Sequence, residues 1–241
     1  MMELRKYSIL ALLAFMIVVG FFGGSIADGQ SADSSGKSDS LSAYIENVRL
    51  TLIGRYGMRF QLDKNGIPTS IEGELSKGIT AIDPVEMAYQ FLELNKDLYQ
   101  IESPRDELIV KGVIEGGELG TTIKLGQVVG GIRVDSRGFI LQYGRAKKLW
   151  CVDGRIDPQA RQVNTTPAIS EKQAKEIVCA TIQDREPPPT PKDAGSSGPI
   201  ICRPVQGGQL HLAWIVRLDT LRYYVDAHNG EIFQKEPAFI H

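Results

Sequence analysis

The alternation of apolar and polar residues predicts a series of antiparallel strands interrupted by two helices. It is clearest at 209–218, where every second residue is apolar: Leu210, Leu212, Trp214, Val216 and Leu218. Successive side chains of a strand point to opposite faces, so these five share one face. The other face carries His211, Ala213 and Arg217, but Ile215 interrupts its polarity. We therefore expect that second face to be partly covered as well.

In the first half of the chain, the pattern predicts a hairpin, a helix and a meander of strands. Asn65-Gly66 is a turn signal between strands at 59–63 and 69–75. Asp83 can cap a helix that begins at Pro84, with Glu86 at the capping-box position. The apolar face of that helix has helical spacing and consists of Ala88, Phe91, Leu92 and Leu98. Four strands separated by Gly-rich turns are expected next, at 108–114, 121–129, 138–143 and 147–152.

The second half repeats the combination of one helix with several strands. Ser170 and Gln173 form a capping-box pattern, and the apolar stripe after it is Ala174, Ile177, Val178 and Thr181. A segment rich in Pro, Gly and Ser at 186–198 predicts an exposed loop. Strands are then expected at 200–205, 209–218, 222–227 and 231–233, with Asn229-Gly230 as the last turn. The predicted fold class is α+β, with two units that each combine an antiparallel sheet and one packed helix.

The N-terminus carries the pattern of a secretory signal. Arg5 and Lys6 precede an apolar run over 9–22, and Ser25-Ile26-Ala27 suits signal peptidase. We interpret residues 1–27 as a signal peptide that directs the chain to the cell envelope or the exterior. The alternative is an uncleaved anchor, and association with a membrane is expected only in that case. Residues 28–40 are polar apart from one Ala and predict a flexible leader.

Composition narrows the possible functions. The 241 residues include 27 basic and 29 acidic ones, a formal net charge of -2, which gives no electrostatic basis for binding nucleic acid. Of the three cysteines, Cys179 and Cys202 flank the Pro-rich segment and are the expected disulfide pair in an oxidising compartment. Cys151 is then expected to be a buried free thiol in a strand.

The chemistry of common enzyme classes is missing from the sequence. A zincin site needs two histidines one helical turn apart, whereas the three histidines here are His211, His228 and His241. They are also poor candidates for a catalytic base, and structural or exposed roles are favoured for His211 and His228. The glycines at 126, 130 and 131 lack the Walker spacing and are interpreted as turn residues. The chain is therefore expected to be no enzyme, and nothing in it indicates a cofactor.

Several segments resemble the prodomain of thermolysin-like zinc metalloproteases. Gly66-Ile67-Pro68, Phe91-Leu92 and the run from Gln127 to Val134 resemble its fungalysin/thermolysin propeptide (FTP) domain. Pro167 to Ser170, Leu212 to Trp214 and Tyr223 to Ile232 resemble the PepSY domain that follows it. The matches cover about 45–235 in the expected order, and the chain departs from the pattern at Gly126, where the family often has a second glutamine. The resemblance implies an FTP-like domain at 41–160, a PepSY-like domain at 161–235 and a tail at 236–241.

The resemblance also implies a function. A prodomain without its enzyme is expected to bind a thermolysin-type zinc metalloprotease in trans, as inhibitor or folding chaperone. The tail residues Phe239, Ile240 and His241 would then contact the protease cleft, unless the tail is a frayed end without a role. Two alternatives are a stand-alone envelope module with no protease partner and a truncated protease precursor. The family-motif positions, with structural roles expected, are Gln127, Gly131, Val134, Trp214, Tyr224, Asp226 and Gly230.

Overall fold

The computed structural model describes residues 35–56, 59–117, 120–144, 146–182 and 188–238. Its helices are α1 (Ser35–Tyr56), α2 (Pro84–Leu94), α3 (Lys96–Tyr99), α4 (Pro104–Glu107), α5 (Glu171–Ala180) and a 3-10 helix at Pro158–Gln162. The first six strands are β1 (Arg59–Leu62), β2 (Pro68–Glu72), β3 (Leu108–Glu115), β4 (Thr121–Val129), β5 (Ile132–Tyr143) and β6 (Leu149–Arg155). The last four are β7 (Gly195–Cys202), β8 (His211–Leu218), β9 (Leu221–Asp226) and β10 (Ile232–Pro237). The fold class is α+β, as predicted.

The strands form one mixed and strongly curled sheet. Its main path has the order β1-β2-β6-β5-β7-β8-β9-β10, while β4 pairs with β5 and β3 pairs with β4. The pairs are antiparallel except for β5 and β7, which run parallel and meet at Val134 and Ile201. The sequence predicts two units with separate sheets, but in the structure β5 joins the strands of both halves.

Two hydrophobic clusters lie under the helices, one in each half of the sheet. In the first, α2 packs its buried residues Met87, Ala88, Phe91 and Leu92 against the strands of the meander. In the second, Ala174 and Val178 of α5 pack against the apolar face of β8. A third, smaller cluster covers the opposite face of β8, with Ala213 and Ile215 buried beside Tyr224. Both faces of β8 are thus covered, as its sequence predicts.

The two predicted helix starts are present, although one predicted contact is different. The Asp83 side chain accepts hydrogen bonds from the backbone N–H groups of Val85 and Glu86. Glu86 does not complete a capping box, since its carboxylate binds Arg105. Ser170 and Gln173 do form the complete capping box. Helix α2 ends at Leu94, so Leu98, predicted for the same apolar face, belongs to α3.

Two segments that the sequence predicts to be irregular contain regular structure. Helix α1 begins at Ser35, inside the predicted leader 28–40, and its buried residues Val48 and Leu52 join the first cluster. Adding residues to a helix that is already held by packing costs much less free energy than nucleating a new helix, so the polar residues before Val48 can be helical as well. Strand β7 begins at Gly195, inside the predicted loop, because its first residues pair with β8. Residues 28–34 and the predicted signal peptide 1–27 lie outside the described residues.

The three cysteines are free and buried, so the predicted Cys179–Cys202 disulfide is wrong for this structure. Cys179 belongs to the cluster under α5. Cys202 belongs to the cluster on the opposite face of the sheet. Because the sheet separates the two side chains, the sulfur atoms cannot approach bonding distance. Cys151 lies in β6 and is buried, in agreement with its interpretation as a buried thiol.

Candidate functional site

Gln127 of β4 is a fully buried amide that binds the backbone of the segment after β6. Its Nε2 donates to the carbonyl oxygen of Asp157 at 3.0 Å, and its Oε1 accepts from the Asp157 N–H at 2.8 Å. The Asp157 carboxylate in turn accepts from the Gln159 N–H and from Arg203. Because the side chain is completely buried, the Gln127 amide binds the backbone and does not reach solvent.

The next three family-motif positions lie in a turn, at a contact between strands and against the start of a helix: Gly131, Val134 and Trp214, respectively. Gly131 has a φ of 79° in the turn between β4 and β5, a conformation that favours glycine. Val134 is buried at the point where β5 meets β7. Trp214 Nε1 donates to the carbonyl oxygen of Ile169 at 3.0 Å, which holds the start of α5 on β8.

The last turn is organised by Asp226. Its Oδ1 accepts hydrogen bonds from the N–H groups of His228, at 2.8 Å, and Asn229, at 3.2 Å. Gly230 follows with a φ of 78°, and a Cβ there would lie 2.9 Å from the Cδ1 atom of Ile177. Tyr224 is buried, and its hydroxyl donates to Glu236 at 2.7 Å. The predicted tail begins at Glu236, yet β10 continues to Pro237, while Phe239, Ile240 and His241 lie outside the described residues.

The second oxygen of Asp226 holds His211 of β8. His211 Nδ1 lies 2.6 Å from Asp226 Oδ2, and the imidazole stacks on Phe233 with 4.7 Å between ring centroids. Burial raises the pKa of Asp226, but the bonds from His211 and from the His228 and Asn229 N–H groups outweigh it, so the pKa lies below its ordinary value. The carboxylate is ionised and only accepts, so His211 Nδ1 carries a proton that it donates to Asp226, and in the neutral imidazole Nε2 is then the acceptor.

His211 and Asp226 line a cleft of about 330 Å³ between the 3-10 helix segment, the start of β8 and the last turn. The cleft residues come from three separate segments: Gln159, Gln162, Val163, Asn164, Gln209, Leu210, His211, Leu212, Asp226 and His228. The Nε2 atom of His228 is shut off from solvent and has no hydrogen-bond partner among the described residues. The cleft is therefore rich in amide and imidazole groups.

Strand β3 forms a second unusual surface, because it is apolar on both faces and lies at an edge. Four of its residues are 40–50% exposed: Ile109, Val110, Val113 and Ile114. Val110 and Val113 pair with Leu125 and Ile123 on the core side, while Ile109 and Ile114 belong to the opposite face. Within the described residues β3 pairs only with β4. A strand of this composition is typical of the interior of a sheet.

Sequence reasoning did not find either surface. It favoured structural or exposed roles for His211 and His228 one by one, and the contact of His211 with Asp226 depends on the pairing of β8 with β9. One available signal was a histidine inside an otherwise apolar strand. For β3, the signal was the run of apolar residues from Leu108 to Val110 and at 113–114, without alternation.

The described part of the chain contains no group of three or more His, Cys, Asp or Glu residues arranged to hold a metal ion. In the same part, no helix is long and apolar enough to cross a bilayer. Comparison with known proteins gave no relative: no protein-family model matches the chain, and no curated protein matches it.

Proposed function

We propose that this chain is a secreted, prodomain-like protein that binds a thermolysin-family zinc metalloprotease in trans, as inhibitor or folding chaperone. The partner class comes from the resemblance of about 45–235 to the FTP and PepSY domains. The order of elements supports it: a hairpin, a helix and a meander precede a second helix and the strands β7 to β10.

The observation that carries a binding role is the exposed apolar edge strand β3. Large exposed apolar patches on soluble proteins mark interaction sites, and an unpaired strand edge can add a strand from another chain. Two features of β3 keep such an edge from pairing at random: Lys111 and the irregular register between Val110 and Gly112. A specific partner would cover Val113 and Ile114 and would complete the hydrogen bonding of the strand.

The test uses the chain without residues 1–27 and a panel of thermolysin-family proteases. Substoichiometric protease is assayed with excess chain, and denatured protease is refolded with and without it. The proposal requires slowed hydrolysis or improved recovery of activity for at least one protease. If neither occurs across the panel, the proposed partner class is wrong.

A variant pair tests the role of β3. Ile114→Glu places a charge on the 50% exposed Ile114. It is expected to weaken binding at least tenfold, about 1.4 kcal/mol. Ile82→Glu is the matched control, because Ile82 is 80% exposed and lies in the segment before α2, outside β3. Equal effects of the two variants would exclude β3 as the contact surface. Deleting residues 239–241 tests the tail separately. If the tail contacts the protease cleft, this deletion should reduce inhibition.

A further inference from the structure

The side chain of His211 is held by contacts that the backbone of the last turn does not need. Asp226 Oδ1 already satisfies the turn through the His228 and Asn229 N–H groups. The other oxygen fixes the His211 tautomer, and Phe233 stacks on the ring. These contacts hold one acceptor nitrogen, His211 Nε2, in a set orientation. Binding groups held in this way by a second layer of contacts are typical of preorganised sites.

The one carboxylate of the cleft is buried and already hydrogen-bonded. Asp226 is the one carboxylate among its lining residues, and neither lysine nor arginine is found among them. Three N–H donors already occupy the two Asp226 oxygens. Arg203 lies close by, but its guanidinium binds Asp157, Gln159 and the carbonyl oxygen of Gly208. A cationic ligand would therefore find no free carboxylate and an anionic ligand no lysine or arginine, so either would lose hydration without forming an ion pair, which favours a neutral ligand.

The hydrogen-bonding groups of the cleft include both donors and acceptors. The Asn164 Oδ1 atom accepts from the Thr166 N–H, and the Gln159 Oε1 atom accepts from Arg203. These two bonds leave the side-chain NH₂ groups of both residues as donors. His211 Nε2 is an acceptor, and Gln162 and Gln209 supply a donor and an acceptor each. This mixture complements the peptide group, which carries one N–H donor and one C=O acceptor.

The apolar part of the lining distinguishes a peptide from a sugar. It consists of the aliphatic residues Val163, Leu210 and Leu212, and none of the lining residues is Phe, Tyr or Trp. A pyranose ring presents a flat C–H face that suits an aromatic platform. An aliphatic lining instead suits the side chain of a residue such as leucine. The volume of about 330 Å³ is at the lower end for ligand sites and fits a short segment.

We propose that this cleft binds a short, neutral segment of polypeptide, through main-chain hydrogen bonds to the amide and imidazole groups and one aliphatic side chain against Val163 and Leu210. The proposal does not depend on a protease partner, so it can hold or fail separately from the function proposed above.

The histidines provide a site-specific measurement. The chain has three, of which His211 and His228 line the cleft and His241 is the last residue. The full chain without residues 1–27, labelled with ¹⁵N-histidine, is titrated with N-acetyl-leucinamide while the ring resonances are followed by NMR. A small fragment is expected to bind with a Kd of about 1 mM. The proposal requires saturable shifts of the His211 and His228 rings without a comparable shift of His241.

Two further probes and two variants make the result decisive. N-acetylglycinamide, without an aliphatic side chain, is expected to bind more weakly than N-acetyl-leucinamide. N-acetylglucosamine is expected to produce no saturable shift. The double variant Gln162→Ala/Gln209→Ala changes two exposed cleft residues and should weaken binding severalfold, whereas exposed Gln206, which does not line the cleft, gives the control Gln206→Ala. The proposal is overturned by the absence of shifts, by equal shifts of all three histidines, or by tighter binding of the sugar.

Discussion

Replacing Gln127 by leucine tests whether the buried amide joins β4 to the segment after β6. The side chain is completely buried, and its two hydrogen bonds have lengths of 3.0 and 2.8 Å. Leucine has a similar size but no polar atoms, so the N–H and C=O groups of Asp157 would lose their partners. Leaving a buried polar group unsatisfied costs about 1–3 kcal/mol. Two such groups cost about 2–6 kcal/mol, and the additional apolar burial of leucine offsets about 1–2 kcal/mol.

We therefore expect Gln127→Leu to lower the free energy of unfolding by about 1–4 kcal/mol. The measurement is unfolding in urea, monitored by circular dichroism. The midpoints of the variant and the original chain are compared, provided that the free energy of unfolding depends on urea concentration with the same slope in both. Gln142→Leu is the control, because Gln142 lies in β5, is half-buried and pairs with Cys151 on the face away from the first core. Its effect should stay within about 0.5 kcal/mol. A loss below about 1 kcal/mol for Gln127→Leu would show that the two bonds contribute little.

Three further outcomes are expected. Ser170→Ala removes the capping box of α5 and should cost about 1 kcal/mol in urea unfolding, and a change below about 0.3 kcal/mol would contradict the cap. Burial raises the pKa of Cys151 and Cys202 to about 12, so a thiol reagent at neutral pH should react only slowly with the native chain. After unfolding without reductant, the same reagent should label all three cysteines. Labelling of one cysteine would instead indicate a disulfide between the other two. The ionised Asp226 stabilises the fold above its unfolded pKa and loses this effect as the pH falls through its lowered native pKa. In the variant Asp226→Asn, the free energy of unfolding should therefore fall less steeply as the pH is lowered. An unchanged dependence on acidic pH would refute the pairing with His211.

Local signals predicted much of the fold, because caps and turns depend on residues close in sequence. Asp83 and Ser170 start helices where expected, and Asn65-Gly66 separates β1 from β2. The buried face of β8 also followed directly from the alternation of its residues. Each of these features is fixed by neighbours within a few positions, so no knowledge of the tertiary structure was needed.

The pairing of distant strands could not be predicted in the same way. β5 binds β4 and β6 along its second half and meets β7 at Val134. The sequence predicts a strand only at 138–143, so it does not reveal that β5 begins at Ile132 and joins the two halves of the sheet through Val134. The wrong Cys179–Cys202 pairing has the same origin, because the face of the sheet on which Cys202 lies depends on the register of β7 with β8.

Asp226 of the last turn has two structural roles, and the sequence alone does not distinguish them. Asp226 Oδ1 organises the backbone of the turn, and a motif with that geometry is sufficient to close a hairpin. Asp226 Oδ2 binds His211, which belongs to the preceding strand in the sheet. The first set of hydrogen bonds joins residues close in sequence, whereas the second joins two strands and positions His211 in the cleft. A change at His211 can therefore alter the cleft while the Asp226 turn stays intact, which makes the binding role of this region separable from its folding role.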